Sequence, residues 1–199
     1  SLDAETLETG LIIANQSAIA IQNANQLEQT TMRTRELETL LEAAQSTSLT
    51  MDVNEVFHTV ADLFISALDM DDCAIMIWDD MENTLEVQLD VNRQGNPDRI
   101  SPRGTRFDVT NYPSRARALQ KREVIVVNRD NPEADPREVE ELAEQGDQAR
   151  MFVPLVVKDE SRGLIQVEVT NPYRSISDQE RRLARALGAQ VAIAIENAR

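Results

Sequence analysis

Residues 3–49 contain no proline and a single glycine, Gly10. Nothing in that stretch obliges a helix to stop, and one unbroken helix would run about 65–70 Å at 1.5 Å per residue. Ile13, Gln16, Ala20, Asn23 and Leu27, then Thr30, Thr34, Leu37, Leu41 and Ala44, recur at alternating steps of three and four. That is the seam of a coiled coil, and its Gln, Asn and Thr positions set register at a cost in stability. Further apolar residues (Ile12, Ile19, Ile21, Leu40) widen the stripe, which suits packing against several helices.

The same helix returns at the other end of the chain. Gln16–Ala24 (QSAIAIQNA) aligns with Gln190–Ala198 (QVAIAIENA) at an offset of 174 residues, with seven of nine positions identical. A repeat of this kind points to modules in tandem. The chain therefore reads as a piece that opens on the last helix of one module and closes on the matching helix of the next.

Charge and residue usage remove several function classes. The chain carries 35 acids against 20 bases, a net charge of −15. Counterion release from nucleic acid needs a basic surface, and an anionic membrane would repel this one. A lone cysteine, Cys73, allows no internal disulfide. A lone histidine, His58, excludes His-pair metal sites and weakens any hydrolytic triad. No apolar run is long enough to span a bilayer.

After a break near Thr47–Asp52, a capping box at Asp52 and Glu55 predicts a helix over 53–68. Cys73–Asp79 is apolar on both faces, a central strand. Thr84–Asn92 alternates, which places Leu85, Val87, Leu89 and Val91 inward and Glu86, Gln88 and Asp90 outward. Residues 93–111 read as loop, Pro113–Arg122 as a short helix and Val124–Val127 as a strand. Residues 131–148 read as an acidic loop with a helical turn. Met151–Lys158 and Gly163–Thr170 read as two further strands. Ser177-Asp178-Gln179-Glu180 is a second capping box and opens the final helix. Adjacent strands with helices outside them make an α+β fold with a largely antiparallel sheet.

These residues resemble a GAF domain. The carriers are Ser177 to Ala198, with Leu183, Leu187 and the Q-x-A-x-A-I-x-N-A run. To these add Leu49 to Val56, Val124–Val127, Met151–Leu155 and Gly163–Ile165. The resemblance covers about residues 40–199. It implies a six-stranded antiparallel sheet with helices on both sides, preceded here by the long coiled-coil-type helix. It divides the chain into a helical linker, 1–48, and a GAF domain, 49–199. It further implies a tandem-GAF bacterial signalling protein, akin to sensor histidine kinases. The specialised chemistries of the family each lack a residue type here. Bilin attachment would need Cys73 and His58 elsewhere, the cyclic-nucleotide signature is present only as the fragment Arg106-Phe107-Asp108, and sulfoxide reduction needs a second cysteine.

The resemblance implies a small-molecule pocket on the sheet face away from the dimerising helices. Its candidate walls are Ala74, Met76 and Trp78 from the first strand, Phe107 and Tyr112 from the loop, and Phe152, Gln166 and Glu168 from later strands. Residues 93–122 hold eight bases and two acids, whereas 69–90 hold eight acids and no base. Arg106 or Arg115 could therefore meet a ligand carboxylate or phosphate, or the arginines could balance the neighbouring acidic surface. Gln166 and Glu168 point either into a polar cavity or to solvent. The expectation is a cytoplasmic, non-catalytic sensory and dimerisation module without a metal. It would form a homodimer through its N- and C-terminal helices, hold an unidentified ligand, and neither bind nucleic acid nor enter a membrane. The alternative is a structural spacer whose pocket is filled by side chains.

Overall fold

A computed structural model describes residues 53–197. The predicted coiled-coil seam, the first copy of the repeated segment and the Asp52 cap lie outside the described residues.

Helix α1 (Val53–Leu68) leads into the hairpin β1 (Asp72–Asp79) and β2 (Thr84–Asn92). Strand β3 (Arg106–Asp108) and helix α2 (Pro113–Lys121) follow, then β4 (Ile125–Asn128) and helix α3 (Pro136–Gln145). The hairpin β5 (Ala149–Val157) and β6 (Glu160–Val169) precedes the closing helix α4 (Asp178–Asn197). The six strands form one antiparallel sheet in the order β3-β2-β1-β6-β5-β4. The sixth strand, β3, lies inside the stretch read as loop. Its three residues are too few to show a period, and only pairing with Thr84–Glu86 makes them a strand.

Local chemistry fixes the corners. The β5–β6 turn places Lys158 and Asp159 at positive φ (49° and 62°), the primed geometry that matches strand twist in a two-residue hairpin. At α4 the capping box forms reciprocally: the Glu180 N–H donates to Ser177 Oγ at 3.2 Å, and the Ser177 N–H donates to Glu180 Oε2 at 2.7 Å.

Helices α1 and α4 pack against each other and against one face of the sheet. Phe57, Val60, Phe64, Leu187, Val191 and Ile195 are buried there. Helix α2 packs against β4, β5 and β6, and a separate apolar cluster joins Ala118, Leu119 and Leu142 to Ala74, Met76, Leu85, Val87 and Phe152. Gly163 in β6 pairs with Ile77 of β1. A Cβ there would stand 2.1 Å from the Met76 carbonyl oxygen.

One departure from simple alternation decides the site. Ile75 pairs with Leu89 but Met76 pairs with Val87, so Gln88 is an extra residue in β2. Such a bulge shifts the inside–outside phase of the strand by one residue. Leu85 and Val87 keep to the face of Ala74 and Met76, but Leu89 and Val91 pair with Ile75 and Cys73 and share the opposite, helix-packed face. Asp90 pairs with Ala74 and lines the cavity on the α2 side rather than facing outward. The uniform alternation expected for Thr84–Asn92 is corrected accordingly.

Candidate functional site

Three alternate rungs of the sheet, read from β5 through β6 and β1 to β2, build a site on the face toward α2. They run Pro154–Leu164–Met76–Val87, Phe152–Gln166–Ala74–Asp90 and Arg150–Glu168–Asp72–Asn92. The apolar rung gives way to a mixed one and then to a charged one.

Between these rungs and the covering segments lies a cavity of about 100 Å³. Its apolar part is Ala74, Met76, Val87 and Phe107. Its polar part is Asp90, Ser101, Arg99, Arg115, Gln166 and Glu168, with Glu141 and Gln145 from the C-terminal half of α3.

Arg115 is buried, 3% exposed, and stacks on three rings. Its guanidinium carbon is 4.0 Å from the Tyr112 ring centroid and 5.4 Å from those of Phe107 and Phe152. Such cation–π contacts strengthen when water is excluded. Arg115 Nε and Nη2 donate to Gln166 Oε1 at 3.2 and 3.0 Å, and Nη2 also donates to Glu141 Oε1 at 3.2 Å. Gln166 Nε2 donates in turn to Glu168 Oε1 at 2.6 Å.

Behind this lies a second layer. Arg150 Nη2 donates to Asp147 Oδ2 at 2.9 Å and to Gln145 Oε1 at 2.7 Å, and Nη1 donates to Glu141 Oε1 at 2.9 Å. Its Nε lies 2.7 Å from Glu168 Oε1. Arg99 donates to Asp72 and, at 2.6 Å, to Asp147 Oδ1, which is wholly buried. Counting Asp90, five carboxylates share the region with three guanidiniums.

The imbalance shows in the acid strengths. Burial, reinforced by Glu168 and only partly offset by Arg99 and Arg150, pushes Asp147 up to about 6. Burial, with Glu168 and Asp72 nearby, pushes Asp90 up to about 6 despite the Ser101 N–H that donates to it. Burial opposes ionisation of Glu141 too, but Arg115 and Arg150 outweigh it and hold that carboxyl below its usual range.

A pH dependence of stability follows. Asp90 and Asp147 bind protons more tightly folded than unfolded. Their favourable contribution is complete below the unfolded value near 4 and is lost as pH rises through about 6. Melting temperature should therefore rise by about 2–5 °C between pH 8 and pH 5.5. Calorimetry in matched buffers checks this. The rise should shrink in Asp90→Asn, which separates it from general relief of the net negative charge; a flat curve would mean both groups stay ionised.

The positions of the other predicted residues are plain. Met76, Phe107, Arg115, Gln166 and Glu168 line the cavity. Tyr112 and Phe152 hold the Arg115 guanidinium. Trp78 packs, half-buried, against the apolar cluster beside the cavity. Arg106 is exposed, donates to Glu82 at 2.6 Å and to Glu86 at 3.0 Å, and stands outside the cavity. Cys73 is buried on the helix-packed face, where burial and nearby carboxylates push its thiol well up. His58 is exposed beside an open groove with Phe57 and Leu89.

Sequence reasoning passed over Asp72, Asp90, Arg99, Glu141, Asp147 and Arg150. One usable signal was Arg150 inside the otherwise apolar Ala149–Val157: a charge in a buried strand requires a partner. Asp72, Asp147 and Glu168 each bring an oxygen within 4.8 Å of the others, the spacing of a cation site. Arg99 and Arg150 already serve these carboxylates, so the group does not fit a resident metal.

The architecture is thus a six-stranded antiparallel sheet with a helical pair on one face and a polar cavity on the other. The chain belongs to the GAF domain family, whose sequence pattern matches residues 52–197. Solved structures agree on the fold. A GAF domain/HD domain protein from Geobacter sulfurreducens is similar at 19% identity and TM-score 0.62, over 75% of this chain and 95% of that one. The phycoerythrobilin-bound GAF domain of a cyanobacterial phytochrome is similar at 18% identity and TM-score 0.67, over 84% and 97%. The chromophore-binding domain of a bacteriophytochrome from R. palustris follows at 16% and 0.63, over 83% and 62%. No curated protein sequence matches the chain. No helix among the described residues is long and apolar enough to cross a membrane.

Proposed function

We propose that this domain is a non-catalytic sensory module of a signal-transduction protein, with residues 1–48 as a helical linker. A small polar molecule held against the sheet would bias the packing of α1 and α4, and the terminal helices would carry that bias to a partner copy and an output domain. The observation that supports this reading is the cavity itself. Its lining sets an apolar floor from β1 and β2 against charged and polar side chains that converge from β2, β6, α2, α3 and the segment after β2, groups of the kind that orient a bound molecule. At about 100 Å³ it is far too small for a tetrapyrrole. Cys73, on the opposite face, offers no attachment point in the cavity.

One observation favours the alternative, a dimerisation spacer with a filled pocket. Arg99, Arg115 and Arg150 already pair with Asp72, Glu141, Asp147 and Glu168, so the polar network is largely self-contained. Native mass spectrometry of the purified 199-residue chain separates the two. The sensor reading expects a dimer carrying a small additional mass, or gaining one from a metabolite extract. A dimer that stays bare through such a screen supports the spacer, and a monomer at micromolar concentration overturns helix-mediated pairing for this chain.

A further inference from the structure

We propose that the cavity takes a small zwitterion, an α-amino acid of the size of glycine or alanine, with its ammonium toward Asp90 and its carboxylate toward Arg115. The proposal rests on the sensor reading above and names the chemistry of its ligand.

Arg115 supplies the first reason. Its Nε and Nη2 are committed to Gln166 and Glu141, and the ring of Tyr112 fixes the plane of the guanidinium. Nη1 donates to no described residue, although the side chain is only 3% exposed and lines the cavity. An N–H that meets the cavity without a protein acceptor is a donor that a ligand carboxylate oxygen would take.

Asp90 supplies the second. Every other carboxylate of the region has a guanidinium within 4.0 Å, whereas Asp90 pairs with no cation among the described residues. Its partner is the neutral Ser101 N–H, at 2.8 Å. An ammonium supplies the missing charge.

Net charge and size exclude simpler ligands. Five carboxylates against three guanidiniums disfavour a plain anion, because it would add to the excess. A plain cation leaves Arg115 Nη1 unanswered. A neutral molecule carrying both signs satisfies both ends without adding net charge. A cavity of 150 Å³ accommodates a benzene ring, so one of about 100 Å³ holds roughly four to six non-hydrogen atoms. The floor of Ala74, Met76 and Val87 can cover a hydrogen or a methyl group but leaves no room for a long side chain.

The test is a ¹⁵N–¹H NMR titration of the full chain with glycine and L-alanine. Methylammonium and acetate serve as half-ligands, and L-leucine as the oversized control. Saturable shifts at Asp90, Ser101 and Arg115 are expected with glycine or alanine, at concentrations at least about ten-fold below those the half-ligands need. Asp90→Asn, which keeps an acceptor for the Ser101 N–H and removes a half-buried charge, should stay folded and weaken binding about ten-fold or more. The proposal is overturned if the half-ligands or leucine bind as well as glycine, if Asp90→Asn has no effect, or if every probe is silent. Native mass spectrometry then separates the two levels. A retained molecule of another class sinks the zwitterion and leaves the sensor reading standing, whereas silence in both measurements sinks both.

Discussion

Gly163→Ala is expected to abolish the folded domain. The added Cβ would stand 2.1 Å from the Met76 carbonyl oxygen and 3.1 Å from the Ile77 Cα, both main-chain atoms of the neighbouring strand. No rotamer change relieves such a clash; β1 and β6 must separate. These are the two central strands, and Gly163 pairs with Ile77 on one side and Leu155 on the other. Separation there would disturb every rung of the site. The cost should exceed about 4 kcal/mol, in the range reserved for backbone disruption within a core. Circular dichroism with urea titration of the soluble fraction is the measurement. A variant within about 1 kcal/mol of the parent would show that the sheet opens at this rung far more cheaply than its packing implies.

The second large effect belongs to Arg150→Met. The aliphatic stem is replaced in kind, so loss of volume is small and loss of charge dominates. Asp147, wholly buried, keeps only Arg99, and Glu168 loses the cation 2.7 Å from its Oε1. Stranding buried carboxylates in this way costs about 3–5 kcal/mol. In a domain of this size that lowers the melting temperature by about 10–15 °C. Adding Glu168→Gln should restore part of the loss, because an amide needs no counter-charge; strict additivity of the two substitutions would argue against direct coupling. The Arg150 guanidinium thus contributes mainly by neutralising neighbours that cannot reach water.

The framework was largely legible in the sequence because its signals are local. Ser177 and Glu180 announce the start of α4, and Val53, Phe57, Val60 and Phe64 mark one face of α1. The aromatic and polar walls, Phe107, Phe152 and Gln166, were legible from strand position once the family was in view. The charged half of the site was not. Asp72, Arg99 and the neighbouring Asp147 and Arg150 come from three separate stretches, and what joins them is inter-strand register together with the path of the segment after β2. In so acidic a chain, pairs of opposite charge arise in sequence everywhere, and of these four only Arg150, set in an apolar strand, carries a local mark of burial. Most arginines of the 93–122 stretch serve the protein's own acids or main chain: Arg93 reaches Asp69, Arg106 reaches Glu82 and Glu86, and Arg122 reaches the Asp159 carbonyl. Arg99 and Arg115 differ only in where the fold carries them.

The extra residue at Gln88 has a consequence for how relatives of this domain should be compared. Whether the middle of the β2 wall is acidic or aliphatic depends on whether the strand bulges here, not on which residues are present. The same residues paired without the bulge, with Gln88 opposite Ile75, would turn Leu89 toward the cavity and Asp90 toward the helices. A relative that lacks the extra residue can pair straight through and still present Leu89 to the helices and Asp90 to the cavity. A gap opposite Gln88 would then mark a cavity of the same character, whereas an ungapped relative whose strand pairs regularly would have the opposite one.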